Sequence, residues 1–179
     1  MKKPICLGLI LAFFTLVLQA QEKENIHEIR AYLSDGIVLT LGSAIATTFV
    51  PGAIDEVSSS PHIAVSYRYQ LKPRFLVGGD MGFQNITWKP SMGSTNYTSI
   101  MPLAEFYYLN KRTIKLYGNA MIGLGIGSYK DGDGETISGV FPSFQLNPIG
   151  IRIGKNYAGF LEAGGGVKGF FSAGFSAKF

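Results

Sequence analysis

The chain has 179 residues, of which 46% are hydrophobic, 13% are aromatic and only 16% are charged, with 23 glycines and one cysteine. That length suits one domain, and a typical soluble domain carries about 25% charged residues and about 7% glycine. The composition therefore excludes a disordered chain and a plain helical bundle. The mean hydropathy of +0.19 is high, yet no run of 18 purely apolar residues follows the N-terminal segment.

The first 20 residues predict a secretory signal peptide. Lys2 and Lys3 provide a positive start, residues 7–18 are apolar, and Ala20 is a small residue at the expected cleavage point. Cys6 precedes the apolar stretch and would leave with the signal, so a lipoprotein is not expected. An uncleaved membrane anchor is the alternative.

The expected mature domain, residues 21–179, is nearly balanced in charge. Loss of Lys2 and Lys3 leaves 14 basic against 12 acidic side chains. This balance predicts no nucleic-acid partner. A cysteine-free exported chain has no disulfides, so hydrogen bonding and packing must stabilise it.

Most of this domain alternates between apolar and polar residues with a period of two, which is typical of β-strands. One face of each run carries large apolar side chains, and the other carries charged residues, small polar residues or glycine. In chain order the runs lie near residues 28–33, 63–70, 75–88, 100–109, 114–128, 144–153, 161–163 and 171–179.

One run changes phase part of the way along. Phe144 and Leu146 place its apolar face on even numbers, whereas Ile149 and Ile151 place it on odd numbers. A bulge at residues 147–148 would supply the extra residue, and we expect the chain to continue across it as one strand.

The connections between the runs alternate in length. Short polar turns are expected at residues 72–74, 110–113 and 155–156, and longer loops at residues 35–61, 89–98 and 130–139. The long loops therefore gather at one end of the sheet, and a short last link near residues 166–169 joins them there.

Eight strands of about ten residues, apolar outward and polar inward, predict an eight-stranded antiparallel up-and-down transmembrane β-barrel. A tilted strand crosses the hydrocarbon in about 9–11 residues, so the spanning length is right. A water-soluble barrel would carry its large apolar residues inside instead. Residues 36–54 are uncharged and fit either period. We expect a long loop with a short amphipathic piece there, and ten strands are the alternative.

The chain resembles the outer-membrane β-barrel proteins of the OmpX and OmpA-transmembrane type. The matching features are the signal peptide, about four hairpins over residues 26–179, the glycine-rich segment 161–171 and an alternating aromatic final strand over residues 170–179 that ends in phenylalanine. The resemblance implies a location in the outer membrane of a Gram-negative cell, among its lipids. It also implies that Phe171, Phe175 and Phe179 form the signal read by the barrel assembly machinery. We expect no periplasmic domain after the barrel, so the resemblance does not imply peptidoglycan binding.

The inward face concentrates the charges of the strands. Opposite charges there can pair, as buried charges must, and eight strands leave a lumen just wide enough for side chains to fill. We therefore expect a plugged cylinder that contains an ion-pair network, with a narrow proton or ion path as the alternative. The expected lumen charges are Glu28, Arg30, Arg68, Asp80, Glu105, Lys115, Arg152, Glu162 and Lys178.

Aromatic residues near the strand ends predict two interfacial girdles. The girdle residues expected near the tight turns are Phe75, Tyr107, Tyr108, Tyr157 and Phe179, and those expected near the long loops are Trp88, Tyr129 and Phe141.

These features predict a monomeric scaffold protein that acts structurally, or through exposed loops in adhesion to an unidentified surface ligand. A small channel or transporter of hydrophobic or small solutes is the alternative. A lipid A-modifying enzyme has less support, because His62 and the serines at residues 58–60 show no triad spacing. No catalytic site, metal site or cofactor is expected.

Overall fold

The computed structural model describes residues 27–36, 58–87, 93–130 and 136–179. The expected signal peptide, most of the first long loop and Trp88 lie outside these residues. The described strands are β1 (His27–Ser34), β2 (His62–Lys72), β3 (Phe75–Thr87), β4 (Ser94–Asn110), β5 (Ile114–Lys130), β6 (Thr136–Gly154), β7 (Tyr157–Gly166) and β8 (Phe171–Lys178). A two-residue segment, Ser58–Ser59, pairs with the end of β3 and extends β2 beyond Pro61. No helix in the described part of the chain is both long and apolar enough to cross a membrane.

The eight strands close into a barrel. Each strand pairs antiparallel with the next along the chain, and β1 also pairs with β8. Reciprocal backbone hydrogen bonds between His27 and Phe179, at 3.1 and 3.0 Å, complete this seam at one end. The prediction of an eight-stranded antiparallel up-and-down barrel is confirmed, and the ten-stranded alternative is wrong. Closure leaves none of the eight described strands at an open edge of the sheet.

Side chains alternate across the barrel wall as the period of two predicts. In β2, Ser66 and Arg68 point inward and are buried, whereas Ile63, Val65 and Tyr67 are 55%, 53% and 44% exposed. The same alternation places the charged side chains on the inner face of the wall, together with some apolar ones such as Met101 and Phe160, and large apolar side chains on the outer face. The wall therefore has an interior that contains the strand charges and an apolar exterior.

The phase change in β6 is a bulge at the predicted place. The register with β7 shifts between Leu146 and Ile149. Asn147 and Arg152 both point inward, although they differ in parity, because the extra residue is absorbed between them. The strand continues unbroken from Thr136 to Gly154.

The two ends of the barrel differ. The three tight turns and the β1–β8 seam at His27 lie at one end, which we call the turn end. The longer connections and the β7–β8 link lie at the other, which we call the loop end. This arrangement follows from the alternation of short and long connections around an up-and-down barrel.

Two of the expected girdle aromatics are not on the outer surface. Tyr107 is fully buried in the lumen beside Tyr117, with ring centroids 6.2 Å apart. Phe141 packs inward against Tyr97 at 5.3 Å. Parity decides the face of a strand residue, and Tyr107 shares its parity with the inward Glu105. Nearness to a strand end is therefore insufficient to place an aromatic residue in a girdle.

Candidate functional site

The lumen is the candidate site, and the structure places all nine expected charges along it. Seven of the nine residues are buried and at most 3% exposed. They are Glu28, Arg30, Arg68, Asp80, Glu105, Arg152 and Glu162. The side chain of Lys178 is 7% exposed. Lys115 is only half-buried, at the turn end, where its ammonium group donates to Asn110 at 2.5 Å.

Arg30 lies at the centre of the network. Its guanidinium group contacts the carboxylates of Glu28 at 2.7 Å, Glu105 at 2.7 Å and Glu162 at 3.1 Å. These carboxylates come from β1, β4 and β7, so a single cation joins opposite sides of the barrel. The face of the Tyr117 ring lies 4.6 Å from the guanidinium carbon, which adds a favourable cation–π contact.

The other lumen cations surround this centre. Arg68 contacts Glu105 at 3.0 Å and approaches Glu162 at 3.6 Å. Towards the turn end, Arg152 and Lys178 both contact Glu28, at 3.1 and 3.3 Å. Each carboxylate in this part of the lumen therefore faces at least two cations.

Neutral groups complete the coordination of Glu162. Its carboxylate accepts hydrogen bonds from the Tyr117 hydroxyl at 2.9 Å, from Asn119 Nδ2 at 3.0 Å and from Asn147 Nδ2 at 2.8 Å. The β6 bulge matters here, because it allows Asn147 and Arg152 to point inward on the same strand. The bulge thus restores the alternation of inward and outward residues along β6. It also lets two β6 side chains bind the buried carboxylates of Glu28 and Glu162.

Lys168 is a lumen charge that the sequence analysis missed. It belongs to the short β7–β8 link, but its side chain enters the barrel and is fully buried. Its ammonium group contacts Asp80 Oδ2 at 3.1 Å and also hydrogen-bonds the Tyr32 hydroxyl. The described lumen therefore holds six cations and four carboxylates.

The link that carries Lys168 is folded into the loop end. Gly166 and Gly169 have φ values of 144° and 99°, which an L side chain rarely adopts. Asp35 accepts a hydrogen bond from the Phe170 backbone N–H at 2.9 Å, and Gln145 Oε1 accepts one from the Lys168 N–H at 3.0 Å. These bonds fix the link on two sides, so residues 167–170 form a plug.

Among the described residues, His62 forms no hydrogen bond with a serine side chain. His62 is fully buried in the lumen, and neither ring nitrogen has a hydrogen-bond partner. Ser60 Oγ instead accepts from the Asn85 backbone N–H at 3.0 Å. Within the described ranges, no three His, Asp or Glu side chains are grouped to hold a metal ion.

Chemically, the lumen is suited to hold the wall together. Its ion pairs connect non-adjacent strands, and its charges are shielded from solvent by the wall and by the plug. Removing one partner of a buried pair leaves an uncompensated charge, which is strongly destabilising. The fold and site together define a small closed barrel with an apolar outer face and an ion-paired interior.

Comparisons with known proteins do not assign the chain to a family. No protein-family model matches the chain, and no curated protein matches it. Among solved structures, the chain is similar to Ail, the attachment invasion locus protein of Yersinia pestis, crystallised in complex with the heparin analogue sucrose octasulfate. The identity is 14% and the TM-score is 0.42, over 84% of this chain and 95% of that chain. A similarity at this level assigns neither family nor function.

Proposed function

We propose that this chain is a monomeric outer-membrane β-barrel protein of a Gram-negative cell. It acts as a structural element of the envelope and presents its loops for surface interaction. The observation that carries the proposal is the sidedness of the wall, with large apolar side chains outside and paired charges inside.

The exposed apolar surface is too extensive for a barrel in water. Outward residues such as Phe175 and Ile122 are 79% and 72% exposed, and similar side chains cover every strand. Large contiguous apolar patches mark membrane or partner contacts. In a bilayer this surface faces lipid, while closure satisfies the backbone groups that hydrocarbon cannot.

The ion pairs across the lumen favour a structural role over transport. Arg30, Arg68 and Glu162 meet inside the barrel, and the Lys168 side chain of the plug reaches Asp80 from the loop end. A solute path would require these ion pairs to separate. We therefore propose that any specific activity lies outside the lumen, in the loops that could contact a surface ligand.

The position of the last strand supports the proposed assembly signal. Phe171 and Phe175 are 67% and 79% exposed on the outer face of β8, and β8 forms the closing seam with β1. Phe179 stacks on His27 at 5.7 Å at the same seam. We propose that the barrel assembly machinery binds this strand before the seam closes.

Gel mobility tests the proposal. The mature chain is refolded into phosphatidylcholine vesicles and then analysed in detergent with and without boiling. We expect a compact form that runs differently from the boiled form. Identical mobility in both lanes, together with a chain that stays outside the vesicles, would contradict a membrane barrel.

Two further measurements separate the alternatives. Planar-bilayer recording of the refolded protein should show no reproducible step currents, whereas such currents would favour a channel. We propose no enzymatic activity, so mass spectrometry of lipid A should give the same spectrum with and without expression. A modified lipid A would overturn that part of the proposal.

A further inference from the structure

The turn end of the barrel carries a concentration of unpaired positive charge. Five cationic side chains in the three tight turns are exposed, and none of them pairs with a carboxylate among the described residues. They are Lys72, Arg74, Lys111, Arg112 and Lys155.

No exposed acidic side chain of the described residues balances these cations. Four of the five described side-chain carboxylates are buried in the lumen, where they are already paired. The fifth, Asp35, lies at the loop end and binds the backbone of the plug. At the loop end, Lys130 is the one exposed cation among residues 27–36, 58–87, 93–130 and 136–179.

The three turns form one continuous arc. Asn110 Nδ2 donates to the Pro73 carbonyl at 2.6 Å, which joins the first turn to the second. The Gly154 N–H donates to the Thr113 carbonyl at 2.8 Å, which joins the second turn to the third. The five cations therefore lie along one side of the rim, and we call this set the basic arc.

The basic arc borders directly on the apolar belt. Leu71 and Phe75 flank the first turn, and Ile114 and Tyr157 follow the second and third, all outward and 36–68% exposed. A cation that adjoins the last apolar residue of a spanning strand lies at the level of the lipid headgroups. Lysine, arginine and interfacial aromatic residues are enriched at that level.

We propose that the basic arc binds the phosphate-bearing headgroups of anionic lipids in the leaflet at the turn end. This inference rests on the proposed membrane insertion of the barrel. Ammonium and guanidinium groups form charge-assisted hydrogen bonds with phosphate oxygens. An arc that follows the rim meets the surrounding lipids, whereas a protein partner docked below the barrel would not need cations beside the belt.

Lipid selectivity in vesicles tests the proposal. The refolded chain is placed in phosphatidylcholine bilayers that contain a trace of spin-labelled phosphatidylglycerol or spin-labelled phosphatidylcholine. The immobilised fraction of each label is then measured by electron paramagnetic resonance. At sites beside the arc we expect phosphatidylglycerol to be preferred about fivefold, which is the effect of one surface cation near an anionic headgroup. Averaged over all lipids that contact the barrel, the preference should be about twofold, because most of these lipids do not touch the arc. The preference should fall as salt is added.

Three variants sharpen the test. K72Q/R74Q/K111Q/R112Q/K155Q should lose the preference. K72R/R74K/K111R/R112K/K155R keeps the charge and should retain it, as should K130Q at the loop end. Equal selectivity in the wild type and in the glutamine variant would overturn the proposal. Absence of any selectivity would do the same and would leave an acidic protein as the partner that fits this face.

The experiment distinguishes a failure of membrane insertion from a failure of the basic arc to bind anionic lipid. Each variant is first checked for heat-modifiable mobility in vesicles of phosphatidylcholine alone, which requires no anionic lipid. A chain that does not insert there contradicts the membrane barrel itself. A chain that inserts and shows no headgroup preference contradicts only the basic arc.

Discussion

Arg30 shows how a single residue can connect a whole barrel, because its three carboxylate partners lie on three different strands. The substitution R30M leaves Glu105 with Arg68 as its one cation. It also places an uncharged thioether side chain among the carboxylates. We expect the free energy of unfolding to fall by about 3–5 kcal/mol, the usual effect of removing one partner of a buried ion pair. Urea unfolding of the refolded protein in vesicles measures it.

The matched control is R112M, which removes an exposed arginine from a tight turn. Its free energy of unfolding should stay within about 0.5 kcal/mol of the wild type. If the two variants unfolded at the same urea concentration, the lumen network would contribute nothing measurable to stability.

Lys168 and Asp80 provide a second test at the residue scale. K168M leaves Asp80 buried without its cation, and D80N leaves the Lys168 ammonium without its carboxylate. Each single variant should unfold more easily. The double variant K168M/D80N should lose at least about 1 kcal/mol less than the sum of the two, because contacting residues are coupled. Strict additivity would mean that the plug is not anchored by this pair.

At the scale of elements, the β6 bulge makes an unusual deletion tolerable. Leu146 pairs with Gly165 and Ile149 with Ala163, so three steps on β6 oppose two on β7. Deleting Pro148 removes the extra residue and leaves both faces correct. We expect the deletion variant to form the heat-modifiable barrel, with a free energy of unfolding within about 2 kcal/mol of the wild type.

A deletion in a regular stretch provides the contrast. Met121 points inward between the outward Ala120 and Ile122. Its removal forces one half of β5 onto the wrong face, since a shift of one residue exchanges the two faces of a strand. This variant should fail to give the compact form. If both deletions behaved alike, the bulge would not be the source of tolerance.

Strand positions and faces could be predicted from sequence because the wall separates two unlike environments. Glu28, Arg30 and Glu105 each fall on the polar face by parity alone, and the bulge at Asn147 is visible as a change of phase. Partners could not be predicted, because parity gives the face of a residue but not the stagger between strands. Only the closed register brings Arg30 to Glu162, 132 positions away along the chain.

Lys168 was missed for a different reason. A lysine in a short, glycine-rich link is typical of a solvated turn. Its inward path depends on the backbone conformations of Gly166 and Gly169 and on the acceptors that Asp35 and Gln145 provide. An alternation of apolar and polar residues with a period of two predicts none of these features. Tyr107 lies near a strand end, which suggests a girdle position, but its parity is that of the inward Glu105, and parity decides its face.

The whole molecule separates three environments. Its outer wall is apolar, its interior contains a network of ion pairs, and its turn end is bordered by five exposed cations. The plug at residues 167–170 makes the loop end different from the turn end. We propose that the lumen network makes the barrel rigid, that the wall and the basic arc contact lipid, and that the long loops bind a surface ligand.

Adjacent residues on β7 test the sidedness of the wall most directly. Phe160 points inward and is 4% exposed, whereas Leu161 points outward and is 60% exposed, so they share a depth but not a face. Single tryptophans are introduced as F160W and L161W in a W88F background, in vesicles with brominated acyl chains. We predict strong quenching of L161W and weak quenching of F160W. Equal or reversed quenching would contradict an apolar wall that faces lipid around an ionic interior.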